Sequence, residues 1–263
     1  MNANSAYKDT VESIAEFCNG AGVFSSYGIE KVNDYQWPKK GPNVDNLLKK
    51  FDPDVQLEGI SNYEKNVSLK RYFAKRFLKN DLDLERASIW IIKEWGGIKT
   101  ISKNLDQYIE SVREKRLPSK LAGVPSYSKI YAMFYPDDFA IYDARVAVSL
   151  NVIQLLAGKK NAFLFPFLPG RNKVTGDPAK RRGFTAISQF KRAQLLKSEE
   201  VCWQTSKRDD TYLIYNQILH SSLPLHSGKL IDVEMLLFSQ AEELVHQMKS
   251  DERFVYADWS KIE

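Results

Sequence analysis

Leu117 to Leu150 reads LPSKLAGVPSYSKIYAMFYPDDFAIYDARVAVSL, and its punctuation decides the fold. Pro118 ends the helical pattern before it, LAGVPSYSK reads as a tight turn around Gly123, and Lys129 to Phe134 reads as a short helix stopped by Pro136. Phe139 to Tyr142 is a short apolar link. Asp143 then stands where an N-cap belongs, ahead of ARVAVSLNVIQLLAG. In that run Val146, Leu150, Ile153 and Ala157 keep helical spacing, and Gly158 closes it.

Helical periodicity continues on both sides. Thr100 to Arg116 is amphipathic. Leu84 to Trp95 carries Ala87, Ile91 and Trp95 at four-residue intervals, with Ile92 widening the stripe and Gly96-Gly97 as the stop. Ser61 to Lys79 places Val67, Tyr72, Phe73 and Phe77 on one face, with lysines and arginines, Lys70 among them, on a face expected to be solvated. Asp9–Cys18, Thr185–Ser198, Thr211–His220 and Asp232–Lys249 also read as helices, whereas residues 20 to 44 are Gly-, Asn- and Pro-rich and read as loop or a short hairpin. The expected fold is mainly α, with room for a few short strands. The expected organisation is an N-terminal accessory segment (1–60), a helical core (61–158), a basic loop (159–185) and C-terminal helices completing the fold (186–263).

The 263 residues suffice for one large domain or two small ones, and 43% hydrophobic with 27% charged residues is ordinary for a globular chain. The net charge of +5 is unevenly spread. From Lys159 to Arg192 there are nine basic residues against one acid, Asp177, so that segment alone carries +8 and the remainder is slightly acidic. Such a concentration is an electrostatic footprint for phosphate. Cys18 and Cys202 are the only cysteines, which excludes a four-Cys zinc or iron–sulfur site within one chain. His220, His226 and His246 are scattered, so no metal site is expected. No GxxxxGK[ST] loop argues for a nucleotide cofactor, and no stretch approaches 18 apolar residues. MNANSAYKDT has no charged-then-apolar leader pattern, and the expected location is the cytoplasm, as a monomer.

A helix, a Gly-containing turn and a second helix suit a DNA backbone because successive backbone N–H groups and a helix N-terminus favour phosphate without reading sequence. With SKIYAMFYPDDFAIYDARVAVSL following, the stretch resembles the helix-hairpin-helix DNA glycosylase superfamily, especially its 8-oxoguanine glycosylase-like group. The resemblance rests on Tyr142-Asp143-Ala144-Arg145-Val146 and covers about residues 85 to 158, with looser likeness at DVEMLLF (232–238). It implies a helix-hairpin-helix at about 105–135 that binds double-stranded DNA, requires no cofactor beyond a monovalent cation held by hairpin carbonyls, and flips a modified or damaged base for cleavage of its N-glycosidic bond. The base would be a repair substrate, or a hypermodified base of phage DNA such as glucosylated hydroxymethylcytosine.

By the same resemblance Asp143 is the catalytic carboxylate, although an Asp there also serves as an ordinary N-cap worth about 1 kcal/mol. Lys129 lies near the hairpin lysine that forms a Schiff base in bifunctional members, but GVPSYSK is two residues longer than the usual spacing, so Lys129 is either that nucleophile or a phosphate contact. Gly123, Val124, Ser126, Tyr127, Ser128, Lys173, Lys180, Arg181 and Arg182 are candidate DNA contacts. Arg145 either touches DNA or pairs with Asp137 or Asp138. Trp37, Tyr142 and Phe163 are candidate stacking partners for a flipped base. The competing readings are a non-catalytic helix-hairpin-helix DNA-binding protein, and a structural helical protein whose basic loop meets RNA or a protein.

Overall fold

The computed structural model describes residues 3–38, 43–101, 103–118, 122–159, 161–168, 170, 172–175, 202–205 and 207–254. It is mainly helical. The α-helices are α1 (Ala3–Cys18), α2 (Val44–Lys49), α3 (Asn62–Leu78), α4 (Leu84–Trp90), α5 (Leu105–Arg113), α6 (Val124–Phe134), α7 (Ala144–Leu156), α8 (Thr211–Ser222), α9 (Leu230–Ser239) and α10 (Ala241–Ser250). Two short strands, β1 (Asn161–Leu164) and β2 (Cys202–Thr205), pair in parallel. Among the described residues no helix is long and apolar enough to cross a membrane.

The helix after Asp143 is the centre of the molecule. A helix that is apolar all round belongs in a core rather than at its edge, and α7 is buried at Val146, Val148, Leu150, Val152 and Ile153 alike. It packs against α1, α9, α10 and β1. Fully burying each Val, Leu or Ile side chain contributes about 1.5–3 kcal/mol, so this helix is held rigidly and its N-terminus is a fixed point. The N-terminal segment is therefore part of the main core, with α1 lying on α7, α8 and β1.

Buried polar side chains on α7 fix the segment immediately C-terminal to it. Asn151 donates to the Phe165 carbonyl at 2.8 Å and accepts from Phe165 N at 2.9 Å. Gln154 does the same for Phe163, at 2.8 and 3.0 Å. Residues 161–168 are thus a strand and an anchored turn with Ala162, Leu164, Phe165 and Leu168 buried, where the sequence reading has a basic loop. The reason is that the start of that segment is apolar and α7 supplies amides for its backbone. Lys159 pairs with Glu12 and Glu16 of α1. Lys180, Arg181 and Arg182, and the helix expected at 185–198, lie outside the described residues.

The link into α7 is buried, extended backbone, and unpaired buried backbone groups are costly. Side chains satisfy it. Ala140 N donates to Asn216 Oδ1 (2.9 Å) and Ala140 O accepts from Tyr212 (3.0 Å). Ile141 N donates to Glu234 Oε2 (2.8 Å) and Ile141 O accepts from Tyr215 (2.9 Å). Tyr142 N donates to Ser128 Oγ (3.2 Å). Helices α6, α8 and α9 therefore jointly set the path by which the chain reaches Asp143.

Helix α6 begins at Val124, so GVPSYSK is not a tight turn. Pro125 falls in the first helical turn, where its missing N–H costs nothing, and Gly123 caps the helix from a left-handed conformation (φ 82°). A Cβ at Gly123 would also stand 2.2 Å from the Tyr108 hydroxyl, so the glycine serves close packing against α5. Residues 114–123 connect α5 to α6, a longer connection than a hairpin turn; residues 119–121, within the helix-hairpin-helix expected at about 105–135, lie outside the described residues.

Upstream, the helix expected from Leu84 to Trp95 changes pitch. After α4, Gly96 N bonds to Ile91 O at 2.8 Å, an i→i−5 bond that widens the last turn over Ile91–Trp95. Gly96 is thereby set against α6. A Cβ there would lie 2.8 Å from Lys129 Cδ and equally near the Ile91 and Ile92 carbonyls, so the bare glycine leaves the path of the lysine side chain open.

Candidate functional site

Asp143 and Lys129, from one stretch of the chain, meet the remote Trp37 at one concavity. A small inner cavity of about 40 Å³ is lined by Tyr35, Trp37, Trp95, Lys129, Asp143 and Glu234, among others. A recess of about 460 Å³ opens beside it and shares Trp37, Gly96, Lys129, Asp143 and Phe238. Arg145, Asn172 and Thr175 form its farther wall. The inner space is of the order of one water's ~30 Å³; the outer falls within the roughly 300–1,000 Å³ usual for small-molecule sites.

Asp143 is placed by the helix it starts. Its Oδ1 accepts from Arg145 N (2.9 Å) and Val146 N (3.1 Å), the capping arrangement expected. Both bonds fall on one oxygen, and no described residue hydrogen-bonds to Oδ2. The cap therefore fixes the carboxylate through one oxygen and leaves the other without a hydrogen bond among the described residues.

Lys129 comes from the second turn of α6 and is 6% exposed. Its Nζ donates to the Pro125 carbonyl at 2.7 Å. Burial pushes its pKa down from the ordinary lysine value, against the opposing pull of Asp143 and then Glu234. A lowered folded-state pKa means that the unfolded chain binds the proton more tightly, so this lysine costs stability at neutral pH. That cost is relieved as pH rises through the lowered value toward 10.5. Lys129→Met is accordingly expected to melt at or above the wild-type temperature at pH 7, with any gain shrinking at alkaline pH. Thermal melts of both proteins across pH 6 to 10 check it; a variant clearly less stable at pH 7 contradicts the burial cost.

The aromatic wall is fixed by a closed set of bonds. Trp37 Nε1 donates to Trp95 O (2.8 Å), Trp95 Nε1 to Asn66 Oδ1 (2.8 Å), and Asn66 Nδ2 returns to Trp37 O (2.9 Å). Phe238 meets Trp37 edge-on with centroids 5.3 Å apart. Beneath them the buried Tyr35 hydroxyl has its pKa raised by burial, then by Glu234 and Asp143.

Arg145 pairs with Glu242 on α10 and stacks over Phe238 with its guanidinium carbon 5.0 Å from the ring centre. Asp138 pairs instead with Lys115 at 2.9 Å. The pairing expected for Arg145 with Asp137 or Asp138 is therefore replaced, because Arg145 leaves the first turn of α7 toward α10.

Several expected contacts face inward. Val124, Tyr127 and Ser128 are fully buried and Ser126 nearly so, because α6 is enclosed by α3, α5 and the link. Tyr127 packs on Tyr108 and Tyr212, and Ser128 serves the Tyr142 backbone. None of these side chains is placed to meet a DNA backbone. Tyr142 is also no stacking partner: it is buried against Tyr215 and its hydroxyl donates to Pro166 O at 2.8 Å. Phe163 sits in β1 against the core, away from the recess. Lys173 is exposed on the loop that carries Asn172 and Thr175 to the recess.

Comparison with family models, with curated proteins and with solved structures returned no match. Local chemistry is therefore the basis for assigning a function. Sequence reasoning missed Tyr35, Trp95, Gly96, Glu234 and Phe238. A signal existed for Glu234 alone: it is the one acid within the apolar run VEMLLF. Among the described residues no three His, Cys, Asp or Glu side chains converge as a metal site.

Proposed function

We propose that this chain is a DNA N-glycosylase that takes a modified or damaged base, flipped from duplex DNA, and cleaves its bond to the sugar. The biological setting would be base-excision repair or defence against hypermodified foreign DNA. The observation that carries the reading is the shared recess of Asp143 and Lys129: a fixed carboxylate and a desolvated amine beside a base-sized, aromatic-walled space.

In this reading the flipped nucleotide occupies the recess with Trp37 and Phe238 beside its base. Stacking of that kind offsets the few kcal/mol needed to leave the duplex. As the C1′–N bond breaks, its electron pair leaves with the base nitrogen, which is then protonated. Positive charge builds on the sugar, and Asp143 stabilises it electrostatically. Water or the Lys129 amine adds to C1′, and Asp143 takes the proton released. Depressing the lysine pKa raises the share of free amine, which favours the nucleophilic role over a phosphate contact.

The test is incubation with duplexes that each carry one oxidised, alkylated or hypermodified base, followed by hot alkali. The expected result is strand breakage at the modified position of at least one duplex and none on the unmodified control. Intact strands throughout, at enzyme in excess, contradict the proposal.

A further inference from the structure

Lys70 and Glu234 form an ion pair in the core, with side chains 1% and 4% exposed and Nζ 2.5 Å from Oε1. Such pairs are weak contributors to stability, because desolvating two charges offsets most of their attraction. A pair kept at that cost, opening on a functional cavity, calls for a role. Glu234 has one. Its second oxygen accepts from Ile141 N at 2.8 Å, two residues before Asp143, and the side chain lines the inner cavity with Lys129 and Asp143.

We propose that Glu234, anchored by Lys70, is a positioning residue for the base-excision reaction: it holds the segment that presents Asp143 and sets a second fixed carboxylate on the cavity of Lys129. The inference rests on the glycosylase function proposed for the site. Three elements converge on one side chain, since Lys70 comes from α3, Glu234 from α9, and Ile141 from the link into α7. Lys70 turns Glu234 so that one oxygen serves the backbone and the other the ammonium. The carboxylate then cannot rotate away from the link without breaking two buried bonds.

The charges around Lys129 give the arrangement a readable consequence. Facing its cavity and recess are Asp143 at the start of α7, Glu234 on α9, Arg145 in the first turn of α7 and the Tyr35 hydroxyl, while Lys93 and Glu94 on the neighbouring wide turn are exposed. Arg145 is already paired with Glu242, and Tyr35 is held neutral by burial. Asp143 and Glu234 are the two anions acting on the amine, and both favour its charged form, while the Lys70 ammonium paired with Glu234 opposes the latter. Removing Glu234's charge should shift the lysine toward the free amine at lower pH.

The test uses the full chain in two variants: Glu234→Gln, which removes the carboxylate charge alone, and the double variant Lys70→Met with Glu234→Gln, which removes the ammonium with it. In the double variant the glutamine carbonyl still accepts from Ile141 N and no buried charge loses its partner, so that variant keeps the proposal testable should Glu234→Gln alone fail to fold. Lys129 is labelled by formaldehyde and borohydride across pH 6 to 10, and labelling at that residue is read by peptide mass spectrometry, with no DNA present. The expected result is a labelling midpoint that falls in Glu234→Gln and returns toward the wild-type value in the double variant, where the lost ammonium offsets the lost carboxylate, together with single-turnover base release slowed about tenfold in the double variant, whose amide has lost its Lys70 anchor. A purely structural role would move the melting temperature without moving the midpoint. An unchanged midpoint in Glu234→Gln, or a double variant that excises as fast as the wild type, overturns the positioning role while leaving the glycosylase reading intact. A shifted midpoint in a protein whose wild type releases no base from any duplex keeps the electrostatic coupling but removes the reaction it was to serve, and so overturns the role as proposed.

Discussion

Asp143→Asn is expected to slow base release by a factor of about 10² to 10³, the scale on which removing one preorganised electrostatic partner of a transition state is felt. The substitution is chosen for the contacts it preserves. Asparagine caps a helix about as well as aspartate, so the bonds from Arg145 N and Val146 N persist and α7 keeps its place. The amide has no charge to set against the developing positive sugar and cannot accept the proton of a nucleophile. Affinity for a modified duplex should stay within a few-fold of the wild type. Single-turnover kinetics and a binding titration at fixed salt separate the two effects, and a variant that excises at the wild-type rate would reduce Asp143 to a cap.

Lys70→Met alone is expected to destabilise the fold more than any other single change at the site. It leaves the Glu234 carboxylate buried without its ion-pair partner, with the Ile141 N–H as its remaining hydrogen bond among the described residues. Breaking a buried pair from one side typically costs about 3–5 kcal/mol, which for a chain of this size corresponds to a fall in Tm of about 10 °C. Adding Glu234→Gln should recover most of that loss, because no uncompensated charge then remains. Thermal or urea melts of the two single variants and the double form a complete cycle. Additive losses in the double variant would mean that the two residues do not act as a pair.

How much of the fold and the site is legible in the sequence depends on whether the signal is local. The N-cap at Asp143 and the helix behind it are legible, because an acid before an apolar run at helical spacing is a local pattern. The helix start at Val124 is not, because Gly123 and Pro125 read as turn residues when together they are a left-handed cap and a first-turn proline. Ser128, Tyr127 and Tyr142 are misplaced for a related reason. They flank the informative motif, but Ser128 is drawn inward to serve the backbone of the buried link at 140–142, and Tyr127 and Tyr142 pack on Tyr108, Tyr212 and Tyr215 from other parts of the core. Lys70 shows the limit most plainly. It sits in a run of basic residues that reads as a solvated face, and its partner is 164 positions away. No periodicity carries that pairing, and the same holds for the loop around Trp37, whose indole is fixed by Trp95 from 58 positions downstream.

The most direct test is to mix wild-type protein, in excess, with a duplex that it renders alkali-labile and to assay the small-molecule fraction by mass spectrometry before any alkali is added. A glycosylase acting through Asp143 should release the free modified base in amounts matching the abasic sites formed, and the Asp143→Asn reaction, stopped at the same early time, should contain about a hundredth as much or less. Release of a nucleoside or nucleotide instead, or equal base release by the variant, would contradict that chemistry.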